Sequence, residues 1–159
     1  MKRITCTMFI ILGMVAVLSG PTPTTAAGES GTVTGAARAT FAAGAALGSV
    51  TLSSVDLGTG TFIESDGSGF GVFSAVLTGR SLTSQDQQIT VDGSAGRGAI
   101  GPDGRAYFSG TATVNFGDGT PSLSGVPFSV STTADSLVLT INSTTLPAAR
   151  VTAGTISIN

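Results

Sequence analysis

The sequence predicts an all-β protein, an antiparallel β-sandwich with a small β-barrel as the alternative, behind an N-terminal signal peptide. Three observations carry this. Charged residues make up only 10% of the chain, and Gly, Ser, Thr and Ala dominate, which suits strands with a hydroxyl-rich outer face better than helices built on Leu, Glu and Lys. Apolar and polar residues alternate at period two in the clearest segments. Turn signals recur about every ten residues, the spacing of short antiparallel strands.

Residues 1–27 read as the signal peptide. Met1-Lys2-Arg3 supplies the positive start, residues 8–18 run without a charge, and Thr25-Ala26-Ala27 offers a small-residue cleavage site after the break at Gly20-Pro21. As a helix the apolar run would rise roughly 16 Å against a hydrocarbon core of about 30 Å, too short for a stable membrane span. Cleavage is expected after Ala27 or Ala26, leaving residues 28–159 as one domain in a secreted or cell-envelope (periplasmic or extracellular) location.

Within the domain, residues 20–31 read as signal remainder and a flexible lead, and 32–41 as the first strand. The alanines of 36–47 also suit a short helix, and the segment is read as strand or loop. Residues 50–57, 60–64, 70–78 and 88–92 are expected as separate, less regular strands. The strongest pattern is 105–116. Ala106, Phe108, Gly110, Ala112, Val114 and Phe116 fall on the core face, and Tyr107, Ser109, Thr111, Thr113 and Asn115 on the solvent face. Gly101-Pro102-Asp103-Gly104 precedes it as a turn, so a hairpin pairs 96–100 with 105–109. Val126/Phe128/Val130, Leu137/Leu139/Ile141 and residues 151–158 complete the strands. Asp66-Gly67, Asp92-Gly93, Asp103-Gly104 and Asp118-Gly119 are read as the turns between them. The Thr-x-Thr triplets at 32–34, 59–61 and 111–113 are unevenly spaced, so no solenoid is expected.

Missing residue types exclude most catalytic chemistry. The chain has no histidine, hence no Ser-His-Asp triad and no imidazole ligand. Its cysteine, Cys6, and its lysine, Lys2, both precede the cleavage site, so the mature domain has no disulfide, thiolate or Schiff-base chemistry. Losing Lys2 and Arg3 leaves five arginines against nine acids, net −4. Such a surface offers nothing to phosphate backbones, so neither nucleic acid nor an anionic membrane is expected as a partner. An outer-membrane barrel would need aromatic girdles, and the chain has no Trp and one Tyr.

Carboxylates are the remaining chemistry. Glu64 and Asp66 are the pair a carboxylate-dependent hydrolase would use, although the aromatic platforms usual for sugar substrates are missing. Calcium is the one plausible ion, with Glu64, Asp66 and Asp118 as weak candidates outside any dedicated calcium loop; no other cofactor is expected. Phe116-Gly117-Asp118-Gly119-Thr120 resembles the short signature of PKD-type immunoglobulin-like repeats over about six residues. Val114 stands where that signature has an aromatic, and Pro121-Ser122-Leu123-Ser124-Gly125 departs from its continuation, so no family is assigned. Asn142-Ser143-Thr144 meets the N-glycosylation rule by composition alone.

Three functions remain. The first is an exported, non-enzymatic domain with a surface, adhesion, envelope or matrix role, open to self-association through edge strands. The second is a small secreted β-barrel carrying an apolar ligand among Phe62, Phe70, Phe73, Phe108 and Phe128. The third is the carboxylate hydrolase.

Overall fold

A computed structural model describes residues 29–159. The expected signal peptide, with Cys6, lies outside the described residues. Every regular element is a strand: β1 (Gly31–Phe41), β2 (Ala46–Leu47), β3 (Val50–Ile63), β4 (Ser68–Arg80), β5 (Asp86–Ile100), β6 (Ala106–Asn115), β7 (Leu123–Thr132), β8 (Ser136–Ile141), β9 (Thr144–Thr145) and β10 (Ala149–Ile158). The alanine-rich segment is strand up to Phe41, then a turn into β2, with no helix.

All pairings are antiparallel. The path runs β1, β3, β4, β5, β6, β7, β8, β10 and back to β1; β2 and β9 are two-residue hooks on β3 and β8. The seam that completes this path is short. It consists of Ala149 opposite Leu137 and Arg150 opposite Ser136, plus Val151 N–H donating to the Asp135 carbonyl at 2.8 Å. The sandwich and barrel forms of this all-β meander share every other ladder and differ at that seam.

Period-two alternation organises the core. In β6, Ala106, Phe108, Ala112 and Val114 are buried and the odd positions point outward, as the pattern predicts. The 101–104 turn closes the expected hairpin, with Gly101 N–H on the Arg105 carbonyl at 2.8 Å and Ile100 opposite Ala106. Phe73, Phe108 and Phe128 form the centre. Phe73 stacks on Phe128 with centroids 5.4 Å apart, and Phe108 meets both edge-on at 5.8 and 6.4 Å. Such aromatic pairs contribute about 0.5–1.5 kcal/mol each beyond burial.

Three expectations are corrected. Residues 50–57 and 60–64 are one strand, because Gly58 and Gly60 pair on both sides, with β1 and with β4, and the ladder carries them through. Residues 88–92 and 96–100 are likewise one strand, β5, with a register irregularity between Ala95 and Arg97. Asp92-Gly93 is therefore not a turn. Gly93 sits opposite Phe73 and Ala112, and a Cβ there would lie 2.5 Å from the Phe128 ring. The glycine makes room for an aromatic, and Asp92 accepts a 2.7 Å hydrogen bond from Ser74 Oγ across the outer face. Finally, Phe62 and Phe70 do not join Phe73, Phe108 and Phe128 around an interior space. They pair across β3 and β4 on the outer face, 45% and 58% exposed.

Candidate functional site

Two of the three candidate acids, Asp66 and Asp118, cap their own loops. Glu64 and Asp66 share the β3–β4 turn, where Asp66 Oδ1 accepts the Ser68 N–H at 2.8 Å and Gly67 adopts φ +86°. Asp118 lies in the β6–β7 connection, at the opposite end of the meander, and its Oδ1 accepts both the N–H and the hydroxyl of Thr120, at 2.9 and 2.6 Å. All three are exposed. Among the described residues no three acidic side chains gather where they could hold a metal ion.

These bonds set the acid response of the fold. The Ser68 amide holds the Asp66 carboxyl below its ordinary range, the Thr120 hydroxyl does the same for Asp118, and the Arg38 guanidinium for Asp56. Arg38 grips Asp56 through two bonds, 2.6 and 2.8 Å, on the outer face of β1 and β3, and the Arg38 guanidinium is raised in return. A carboxyl whose folded pKa is depressed stabilises the fold above its unfolded value, and that contribution disappears as pH falls through the folded one. With no histidine in the chain, the urea midpoint should be flat from pH 7 to about 5 and should fall below about pH 4. A midpoint that rises on acidification from pH 5 to 3 would contradict this.

Among the described residues, the centre of the fold is packed around the three phenylalanines. Between Leu57, Phe73, Phe108, Val130 and Ile156 the void is about 10 Å³, the room of a single water at most. The five phenylalanines expected around a ligand are divided, three packed on one another and two outside.

An apolar cleft lies elsewhere, at the end of the meander that carries the β6–β7 connection. Leu47 from β2, Val114 from β6 and Phe116 just after it, Leu123 and Val126 from β7, and Ile141 from β8 line about 470 Å³, with Asn142 and Thr144 among its polar groups. Its shape depends on the 116–122 loop. Asn115 Oδ1 accepts the Gly117 N–H at 2.8 Å, Gly117 takes φ +66°, and Gln87 Nε2 donates to the Phe116 carbonyl at 2.7 Å. So anchored, the loop leaves Leu123 54% exposed at the rim. Asn142, of the glycosylation triplet, occupies the two-residue turn between β8 and β9 with φ +54°. Nothing local marks these residues in the sequence, since Phe116 reads as the last core position of its strand and Leu123 has no pattern.

A second concavity, about 670 Å³, is an open polar trough lined by Thr78, Asp86, Gln88, Thr90 and Asn115. Asp86 there is held by Arg80 at 3.3 Å. Among the described residues no helix is long and apolar enough to cross a membrane.

No protein-family model, no curated protein and no solved structure matches this chain.

Proposed function

We propose that this chain is an exported, non-enzymatic β-domain that works through its outer surface, in adhesion or in the assembly of an envelope or matrix. The observation that carries the reading is the division of the fold into a packed centre and a hydroxyl-bearing exterior of low charge density. Outward positions of β6 and β7 carry Tyr107, Ser109, Thr111, Thr113, Ser129 and Ser131, with Tyr107 opposite Ser131 and Ser109 opposite Ser129 in the ladder. Rows of uncharged hydroxyls suit contact with other neutral, hydrogen-bonding surfaces better than steering of a charged substrate.

Fractionation of the source cells with N-terminal sequencing tests it. The expected result is a chain beginning at Gly28 or Ala27 in the envelope or the medium. A chain still carrying Met1 in the cytoplasm would overturn the reading.

The apolar cleft favours a second reading, a carrier of a small apolar ligand, since about 470 Å³ falls in the range of small-molecule sites. On this reading an environment-sensitive apolar dye binds the wild type, and Leu123→Asp, at an exposed rim position, abolishes binding without unfolding the domain. Equal dye binding by the two proteins would remove the cleft from consideration.

A further inference from the structure

We infer that the polar trough on the outer face of β4, β5 and β6 binds a stretch of a neutral, hydroxyl-rich polysaccharide; the inference rests on the proposed surface role and names its partner. The sheet builds the floor. Thr78 stands opposite Gln88 across β4 and β5, and Thr90 opposite Asn115 across β5 and β6. Gln88 and Thr90 are two residues apart on one strand, so both side chains rise from the same face. Past Asn115 the β6–β7 loop walls one side. Gln87 Nε2 donates to the Phe116 carbonyl at 2.7 Å, and a Cβ on Gly117 would run into the Gln88 carbonyl, so the loop packs directly against β5. The result is an open concavity of about 670 Å³, within the range of small-ligand sites.

The lining selects the ligand. Every lining side chain is polar: two threonines, two glutamines, an asparagine and one acid, besides Gly117. An apolar molecule therefore finds nothing to bury against. The acid, Asp86, already holds Arg80 at 3.3 Å, and no other charged residue among the described residues lines the trough. A phosphate or uronate accordingly meets no free cation, and a metal ion no second carboxylate. What remains is donors and acceptors side by side. The Gln88 carboxamide and the Thr78 and Thr90 hydroxyls each offer both, and Asn115 keeps its amide N–H groups after Oδ1 has taken the Gly117 N–H. Vicinal sugar hydroxyls present the same pairing, a donor next to an acceptor.

A peptide fits less well. β5 is paired on both sides, with β4 and with β6, so the trough offers no sheet edge for another backbone to join, and its polar lining has no pocket for apolar side chains. No aromatic ring lines the trough either. Binding thus rests on hydrogen bonds exchanged with water, each of small net value. Such a site exchanges its ligand readily and carries none through purification.

Native electrophoresis of the mature domain through gels containing dextran, galactomannan or mixed-linkage β-glucan tests this, beside gels containing gelatin or polygalacturonate and a plain gel as reference. At least one neutral polysaccharide should retard the wild type, undiminished by added salt, while gelatin and polygalacturonate should not. The double variant Gln88→Ala with Thr90→Val should lose the retardation several-fold, and so should Gln88→Glu alone, an exposed position where the far-ultraviolet circular dichroism of the wild type should be kept. Thr155→Ala, exposed on β10 and away from the trough, should be retarded like the wild type. Absence of retardation by every neutral polysaccharide, equal retardation by gelatin or polygalacturonate, or trough variants that are retarded in full would overturn the assignment. None of these results bears on export, which fractionation decides independently.

Discussion

Phe73→Ala should lower the unfolding free energy by about 3–5 kcal/mol, the usual cost of deleting a fully buried phenylalanine and leaving a cavity. Phe73 is 1% exposed and touches both other rings of the central trio. Because a domain of this size has only about 5–15 kcal/mol of stability, the variant should approach the threshold of folding at 37 °C. Phe70→Ala is the matched control. Its ring lies three residues earlier on the same strand, on the outer face and 58% exposed, and its loss should cost within about 0.5 kcal/mol. Urea titrations of the pair give the comparison directly. Equal losses for the two variants would mean that the aromatic centre is misplaced.

The second large effect is expected at Gly93. Its missing Cβ leaves the space taken by the Phe128 ring, so Gly93→Val should overpack the core at a cost of about 1–3 kcal/mol. The signature is its coupling to Phe128. In the background of Phe128→Leu, which withdraws the ring, the same substitution should cost clearly less, a non-additivity expected of residues in contact. Strict additivity in the double-mutant cycle would show that Gly93 does not face Phe128. By comparison Gly104, at φ +72° with open space around its missing Cβ, should cost only about 1 kcal/mol on replacement by alanine, from backbone strain alone.

That contrast explains where the sequence could be read and where it could not. Both residues follow an aspartate, and both look like turn glycines. At Asp103-Gly104 the local chemistry is complete, since Pro102 and Gly101 stand beside it and the turn closes within five residues. At Asp92-Gly93 the reason for glycine is a phenylalanine 35 residues further on, and no local window contains it. The strand phases follow the same logic. β6 was legible because nothing interrupts its alternation through the buried and exposed positions up to Asn115. β3 shifts register between Leu52 and Ser54, and β4 against β5 between Ser68 and Gly71. Phe62 nevertheless stands one residue before the buried Ile63, and Phe70 three before the buried Phe73, odd steps that plain alternation already places on the opposite face.

The candidate acids were legible as turn formers, because an aspartate that caps its own loop needs only the next two residues, as Asp66 does with Ser68 and Asp118 with Thr120. The apolar cleft was not. Leu47, Phe116, Leu123 and Ile141 come from four separate stretches, and only the completed meander brings them together. The return of β10 to β1 is equally silent in the sequence, as antiparallel partners more than a hundred residues apart, such as Val33 and Ile158, carry no spacing signal of their own.

The central claim is that this domain acts through its surface and carries nothing inside, and native mass spectrometry of the protein purified from its own source, without refolding, tests it most directly. The account predicts the bare mass of the processed chain, as a monomer or a dimer, with no component lost on denaturation. A bound mass that leaves when the protein unfolds would contradict it.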